Sequence, residues 1–424
     1  MKRVLVLFPE EWDVEAWRAP AIASRFRFFH EGFDLFRSPQ NLALATFDAC
    51  RFLDRLERKY RRIGLDAVLS NHELWGVLLA AELAERLGLP GHAPEAVIAT
   101  QHKYASRRLL EQHMPEVTPR FAAFRHDVAS PAAIDLPFPF LVKPVKGTFS
   151  ILARPVASFE ELRRHLSFGR FERYLLKRLI DPFEQLVRGR LALPVSAYEF
   201  LGEELVAGVQ VNVDGYVSWG RVHTLGVVDA LMYPGTLAFE RFELPSQLPE
   251  EAQIRLREVA EAAVRALGLG HGFFNVELLW QPETGAVTLI EVNPRLAYQL
   301  ADLYARVAGL DLHAAQLSLA IGEEAEVVPR PGPYKAAASF VYRRFDGRAP
   351  ERWPEPSALA RLRQSDPDAH LRLYLKRGAQ LAREQRWLGS YRYAVLNLGG
   401  RDREQLFARR DEIAARLGLD GQGP

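Results

Sequence analysis

The sequence has little sulfur and no long apolar run, and both absences narrow the classes of protein that it can belong to. Its 424 residues include one cysteine, Cys50, so the chain can form no intrachain disulfide and no cysteine-based zinc cluster. The apolar run at residues 4–8 is too short for a signal-peptide core or a membrane span. We therefore expect a soluble, cytoplasmic protein with no membrane partner.

An excess of charge of one sign is also lacking. The chain has 55 Lys and Arg residues against 53 Asp and Glu residues, so its formal net charge is only +2. This balance gives no support for a nucleic-acid partner. A hydrophobic fraction of 48% over 424 residues is typical of a globular protein with two or three domains.

What the chain does have is a predicted β-hairpin with a distinctive polar face, at residues 273–295. Two β-rich runs flank a turn that contains proline and glycine. Side chains alternate between the two faces of a strand, and centring the turn places Glu277 opposite Glu291. The same register places Asn275 opposite Asn293. The hairpin therefore carries two acidic and two amide side chains on one face.

Two interpretations of this polar face remain open from the residues alone. Like charges directly opposite each other destabilise an antiparallel pair unless something neutralises them. Mg²⁺ would do so, because it takes carboxylate and amide oxygens and leaves positions for substrate phosphates. The alternative is a hairpin with one solvated acidic face.

The chain begins with the pattern of a doubly wound α/β module. Apolar β-rich runs at residues 3–8 and 66–70 are typical of buried parallel strands, and helical patterns follow at residues 42–63 and 74–87. Loops after the strands of such sheets face the ligand crevice. Glu73 is therefore a candidate site residue, although a charge at a helix N-terminus is the alternative.

A third apolar strand leads to Lys143, and a short loop follows it at residues 145–150. The loop contains Lys146, Gly147 and Ser150, and its backbone amides and hydroxyls can cradle phosphate oxygens. An ordinary β-turn is the alternative, because the loop has a single glycine.

Residues 168–193 are rich in arginine, and their apolar residues recur with no clear helical or strand periodicity. For this segment we favour a solvated insertion over a flexible lid.

Three further strands are predicted at residues 195–201, 205–213 and 216–224. Residues 202–204 form the predicted turn between the first two, and Asp214 with Gly215 forms a hairpin turn between the last two.

The order of these features resembles the ATP-grasp superfamily, and especially its carboxylate–amine ligases. Lys103 on a predicted helix, the strand that ends in Lys143, residues 198–204 and the acidic hairpin occur in that order. The resemblance covers roughly residues 60–325, and the hairpin sequence Ile-Glu-Val-Asn-Pro-Arg at residues 290–295 is its most specific part.

The resemblance implies an α+β ATP-grasp fold and a set of site residues. It implies ATP with Mg²⁺, or Mn²⁺ in its place, as cofactors. Contacts with the phosphates are implied for Lys103 and Lys143, under a flexible loop that includes Lys146, Gly147 and Ser150. Glu199, Leu201 and Glu204 are implied around the adenine and ribose, and Glu277, Glu291 and Asn293 as ligands of the metal.

Four segments follow from the resemblance. They are a pre-ATP-grasp α/β domain at 1–102, an N-terminal ATP-grasp subdomain with an insertion at 103–194, a C-terminal subdomain at 195–328 and a small α+β domain at 329–424. The last assignment also depends on a predicted strand at residues 391–398, a Gly-Gly turn and a helix whose N-terminus is capped by Asp402.

The implied function is an ATP-dependent ligase that joins a small-molecule carboxylate to an amine through an acyl phosphate and releases ADP and phosphate. Arg295 lies just beyond the strand end and can hold the substrate carboxylate and the later oxyanion. A surface salt bridge is the alternative for Arg295. A biotin carboxylase-like or other ATP-grasp enzyme and a non-catalytic nucleotide-binding protein are the rival functions. We keep a homodimer as a hypothesis for the assembly.

Overall fold

The chain opens with a parallel sheet that has one strand more than the sequence indicated. The computed structural model describes residues 1–35, 39–148, 150–325 and 327–419. The elements of the first unit are β1 (Lys2–Leu7), α1 (Glu11–Ala16), α2 (Pro20–Ala23), β2 (Phe26–Glu31), α3 (Ala49–Ile63), β3 (Ala67–Leu69), α4 (Gly76–Leu87), α5 (Pro94–Gln101) and α6 (Lys103–His113). The strand order is β2-β1-β3, all parallel. The strand that we missed, β2, is an edge strand whose apolar residues are interrupted by the exposed Arg27 and His30, so it has no continuous apolar run.

The second unit is an antiparallel sheet of four strands with two helices. Its elements are β4 (Phe121–Phe124), β5 (Phe140–Pro144), β6 (Arg154–Val156), α7 (Phe159–His165), α8 (Arg170–Arg190) and β7 (Phe200–Glu204). The strand order is β4-β7-β5-β6. Short 3-10 helices lie outside these elements, at Gln40–Ala45, Pro115–Val117 and Pro131–Ala133.

The prediction of a solvated insertion at residues 168–193 is wrong, because most of this segment is helix α8. Phe183 is fully buried in the core of the N-terminal unit. The Arg178 guanidinium donates hydrogen bonds to the carbonyl of Leu44, and Arg190 is paired with Glu82 at 2.9 Å. Arg178 and Arg190 thus anchor the helix to the first unit, whereas Arg170, Arg173 and Arg188 are exposed.

A single antiparallel sheet of eight strands forms the rest of the molecule. Its elements are β8 (Val209–Ser218), β9 (Arg221–Met232), β10 (Phe239–Leu244), α9 (Glu250–Ala266), β11 (Gly272–Trp280), β12 (Val287–Asn293), α10 (Tyr298–Ala308), α11 (Leu312–Ala320), β13 (Ala336–Arg344), α12 (Pro356–Ser365), β14 (His370–Leu373), α13 (Gly378–Leu388), β15 (Tyr391–Gly400) and α14 (Arg403–Leu417). The strand order is β12-β11-β8-β9-β10-β13-β15-β14. The strands of the predicted 329–424 domain thus extend the preceding sheet, and the four segment boundaries remain predictions. Residues 420–424 lie outside the described part.

The predicted hairpin turn at Asp214 and Gly215 is also wrong, since strand β8 continues through both residues, with a bulge between them in its pairing with β9. Asp214 is buried and accepts hydrogen bonds from Asn275 at 2.9 Å and from the Tyr304 hydroxyl at 3.0 Å. A Cβ atom at Gly215 would lie 2.2 Å from the ring of Phe274, so this glycine permits close packing between strands.

The mixed α/β architecture that the sequence indicated is confirmed. Several buried apolar clusters lie between the helices and the sheets, and one of them joins β1 and β3 to α11 through Leu317. None of the helices within the described ranges is long and apolar enough to cross a membrane.

Candidate active site

The four-stranded and eight-stranded sheets both line one cavity of about 1650 Å³. Residues 205–208 connect β7 of the smaller sheet to β8 of the larger one, and they also line the cavity. Loops of the first unit and residues of the last three strands complete its wall. The cavity therefore adjoins every unit of the molecule.

The register predicted for the acidic hairpin is confirmed. In the β11–β12 pair, Glu277 lies opposite Glu291, and Asn275 lies opposite Asn293. A bulge follows Glu277 and does not alter these two pairs. The pKa of Glu277 is raised to about 7, because burial and then the neighbouring Glu291 disfavour its charged form. The pair thus carries a charge repulsion that a cation would relieve.

A third strand extends this polar row. Asn212 on β8 lies opposite Glu277, and Asp214 lies opposite Asn275. Gln210 on the same strand donates a hydrogen bond to Glu277 at 3.1 Å. Sequence reasoning missed these three side chains because it placed a turn at Asp214. Their spacing of two residues along a β-rich run was the available signal.

The donor set suits a hard cation. Glu277, Glu291 and Asn293 supply two carboxylates and one amide on neighbouring strands. The buried amide oxygen of Asn212 has no hydrogen-bond partner among the described residues, so the row has an unused oxygen. Within the described ranges, no group of three or more His, Cys, Asp and Glu side chains could hold a metal ion. The hairpin set has only two such side chains, but its carboxylate and amide oxygens are of the kind that Mg²⁺ takes while it keeps positions for phosphates.

The difference in unfolding free energy between Glu277→Gln and the parent protein should depend on pH. The folded parent retains a proton on Glu277 up to about pH 7 instead of the ordinary 4.5, so this carboxyl makes the protein less stable as the pH rises through that range. We expect the variant to match the parent near the lower value and to be roughly 1 to 3 kcal/mol more stable at about pH 8. Chemical denaturation of both proteins across this range measures the difference, and a difference that does not change with pH would contradict it.

Three lysines lie beside the carboxylates. Lys103 is the first residue of α6, and its ammonium donates to Glu291 at 2.9 Å and to the carbonyl of Gly147 at 2.7 Å. Lys146 donates to the carbonyl of Glu73 at 3.1 Å. Burial and then the charge of Lys103 lower the pKa of Lys146 to about 7. These contacts bring the predicted phosphate loop to the predicted metal ligands.

The third lysine, Lys143, belongs to a buried ion cluster. Its ammonium lies 2.7 Å from Glu203, and the guanidinium of Arg107 lies at the same distance from that carboxylate. Burial alone would raise the pKa of Glu203, but Arg107 and Lys143 outweigh it and lower the pKa to about 2. Sequence reasoning missed Arg107 and Glu203, since nothing local in the sequence joins residues so far apart.

We expect Lys103→Ala and Lys143→Ala each to weaken ADP binding by about 10- to 100-fold, because a hydrogen bond to a charged group is worth more than a neutral one. Titration calorimetry of ADP with Mg²⁺ measures the effect. Arg108→Ala is the matched control, because Arg108 lies on the same helix as Lys103 but is exposed and paired with Glu111. Unchanged affinity in both lysine variants would remove these residues from the site.

Glu73 and Arg295, both predicted as site residues, are brought together. The carboxylate of Glu73 accepts hydrogen bonds from two nitrogens of Arg295, at 2.5 and 3.1 Å. Burial alone would raise the pKa of Glu73, but Arg295 outweighs it and the pKa is lowered. This buried pair joins the first unit to the end of β12, beside the predicted metal ligands.

The linker between the two sheets lies later in the chain than predicted. Residues 202–204 are not a turn, because β7 continues through Glu204 and the connection is formed by residues 205–208. Leu201 is fully buried within β7, and Glu199 accepts a hydrogen bond from the backbone of Ser196. Neither lines the cavity among the described residues. Glu204 does line it, and its carboxylate is paired with the exposed Arg120 at 3.2 Å.

The predicted phosphate loop lines the cavity. Lys146, Gly147 and Ser150 are all part of its wall, and Ser150 has a left-handed backbone with φ of 55°. Residue 149 lies outside the described residues.

Comparison with known proteins gives a domain match and two similar sequences. Residues 136–302 match the model of the ATP-grasp domain. The chain is 28% identical over 300 residues to the uncharacterized protein y4rH of Sinorhizobium fredii. That match covers 68% of this chain and 56% of the relative. It is 32% identical over 275 residues to carnosine synthase 1 of Gallus gallus. That match covers 62% of this chain and 28% of the synthase. The chain thus spans about half of the first relative and about a quarter of the second.

A solved structure agrees over almost the whole chain. The crystal structure of an L-amino acid ligase from Bacillus licheniformis has a TM-score of 0.69 at 18% identity, and the match covers 98% of each chain. At this identity the likeness establishes the fold. Residues 136–302 therefore match an ATP-grasp domain, within a fold that the whole chain shares with this ligase.

Proposed function

We propose that the chain is an ATP-dependent carboxylate–amine ligase that forms an amide bond through an acyl phosphate and releases ADP and phosphate. One observation carries the proposal. An opposed carboxylate pair, three lysines and a buried arginine all line a single cavity between the sheets. The presence of a carnosine synthase and an L-amino acid ligase among the similar proteins supports a ligase.

Each group has a role in this proposal. Glu277, Glu291 and Asn293 would hold Mg²⁺, which would offset the charge of the phosphates. Lys103, Lys143 and Lys146 stabilise the transferred phosphoryl group by their charge. Arg295 binds the substrate carboxylate by its charge and then stabilises the oxyanion that forms at the carboxyl carbon.

The proposed reaction has two steps, and each step forms one bond and breaks another. A carboxylate oxygen attacks the terminal phosphorus of ATP, and the bond from that phosphorus to ADP breaks. The amine nitrogen then attacks the acyl carbon, the bond from carbon to the phosphate oxygen breaks, and the nitrogen loses a proton. No side chain becomes covalently attached. A homodimer and a cytoplasmic location remain hypotheses.

A screen of carboxylates and amines for ADP release tests the proposal. We expect ADP to appear only when one carboxylate and one amine are both present with Mg²⁺ and ATP. Release that requires bicarbonate would favour a carboxylase instead. ATP binding without turnover by any pair would favour a non-catalytic nucleotide-binding protein.

A further inference from the structure

Two arginines oppose each other in the part of the cavity wall that the last strands form. Arg343 on β13 and Arg392 on β15 are direct partners in the antiparallel register, and both line the cavity. Like charges directly opposite each other destabilise such a pair. The arrangement is the cationic counterpart of the Glu277–Glu291 pair in the same cavity.

Neither guanidinium is neutralised by a carboxylate in the described part of the chain. Arg343 donates to the Ser390 hydroxyl at 2.9 Å, and its Nε atom is buried without an acceptor among the described residues. Arg392 lies over the ring of Tyr374, at 4.5 Å from its centroid. Burial, and then the charge of Arg392, lower the pKa of Arg343 to about 10.

The acidic groups nearby do not cancel this charge. Glu384 is already paired with Lys376. Burial, and then the charge of Asp13, raise the pKa of Glu10 to about 8, so this carboxyl is mostly protonated at neutral pH. The two arginines therefore leave a positive region in the cavity wall that the roles proposed above do not use.

We propose that Arg343 and Arg392 bind a carboxylate of the amine substrate, a second anionic group distinct from the carboxylate that is phosphorylated. This inference rests on the proposed ligase function. Paired guanidinium groups can hold a carboxylate by parallel hydrogen bonds, and an anion between them relieves their repulsion. The amine substrate is then an amino acid or a similar amino carboxylate. A phosphate-bearing amine offers the same chemistry and is the alternative source of the anion.

Titration calorimetry in the presence of ADP and Mg²⁺ tests the inference without turnover. The probes are the common L-amino acids, their carboxamides and O-phosphoethanolamine. We expect at least one amino acid to bind about 10- to 100-fold more tightly than its carboxamide. Tighter binding of O-phosphoethanolamine than of every amino acid would overturn the carboxylate assignment. Equal binding of acids and amides, or no binding of any probe, would overturn the anion site itself.

Substitutions test whether Arg343 and Arg392 are the source of the preference for an amino acid over its carboxamide. Arg343→Met and Arg392→Met should each abolish the preference for the acid over the amide, and Arg343→Lys should retain part of it. We expect thermal unfolding of both Met variants to occur at or above the parent temperature, because a repulsion has been removed; a purely structural arginine would show the opposite. Arg372→Met is the control, since Arg372 lies on the adjacent strand β14, is paired with Glu15 and does not line the cavity. A preference that survives both Met variants would overturn the assignment of these two residues.

The ADP screen separates this inference from the proposed function. Amide-forming turnover without any acid preference would reject the arginine site and leave the ligase intact. An acid preference that depends on the arginines, without ADP release by any pair, would reject the ligase.

Discussion

Glu291→Gln is expected to lower ATP turnover by about 1000-fold, because it removes one of the two proposed anionic metal ligands, and a bound metal contributes several kcal/mol to phosphoryl transfer. The fold should survive, since the change also removes one member of a like-charged pair, and Lys103 keeps its hydrogen bond to the carbonyl of Gly147. Initial rates with saturating ATP and a substrate pair from the screen measure the loss.

The control for this variant is Glu283→Gln. Glu283 lies in the exposed turn of the same hairpin, so its loss of charge should leave the rate unchanged. Partial rescue of Glu291→Gln by high Mg²⁺ would agree with a weakened metal site. Full turnover in a folded Glu291→Gln protein would remove the hairpin from the mechanism.

Arg295→Met is expected to lose both stability and activity. Removing the guanidinium leaves Glu73 as an uncompensated buried charge, which costs roughly 3 to 5 kcal/mol of folding free energy. We expect turnover to fall by about 100- to 1000-fold, the loss typical of one oxyanion donor. Chemical denaturation and initial rates measure the two effects separately.

The double variant Glu73→Gln with Arg295→Met distinguishes a catalytic from a purely structural arginine. Replacing both charged partners avoids the buried unpaired charge, so most of the stability should return. Turnover should remain low, because the donor to the oxyanion is still missing. If turnover returned together with stability, Arg295 would be only one half of a structural ion pair.

The parts of the site that local patterns determine could be predicted from the sequence. The register of Glu277 with Glu291 follows from alternation along two short runs and from one turn between them. The strand before Lys143 and the loop at Gly147 are local in the same way. The order of these features along the chain then carried the resemblance to the ATP-grasp superfamily.

The parts that depend on distant contacts could not be predicted. Asp214 and Gly215 have the composition of a turn, but a buried hydrogen-bond network and close packing against Phe274 keep them in a strand. Pro182 and the surrounding arginines obscured the helix α8, whose stability comes from contacts with the first unit. The Arg343–Arg392 pair requires a register between strands that lie far apart in the chain.

The fate of the carboxylate oxygen tests the central claim most directly. With a working substrate pair from the screen, the carboxylate substrate is labelled with ¹⁸O. The phosphate and nucleotide products are then separated, and mass spectrometry measures the ¹⁸O content of each. An acyl phosphate transfers one carboxylate oxygen to phosphorus, so the account predicts labelled inorganic phosphate together with unlabelled ADP. Labelled AMP with pyrophosphate would contradict it, because that oxygen would then have attacked the α-phosphorus.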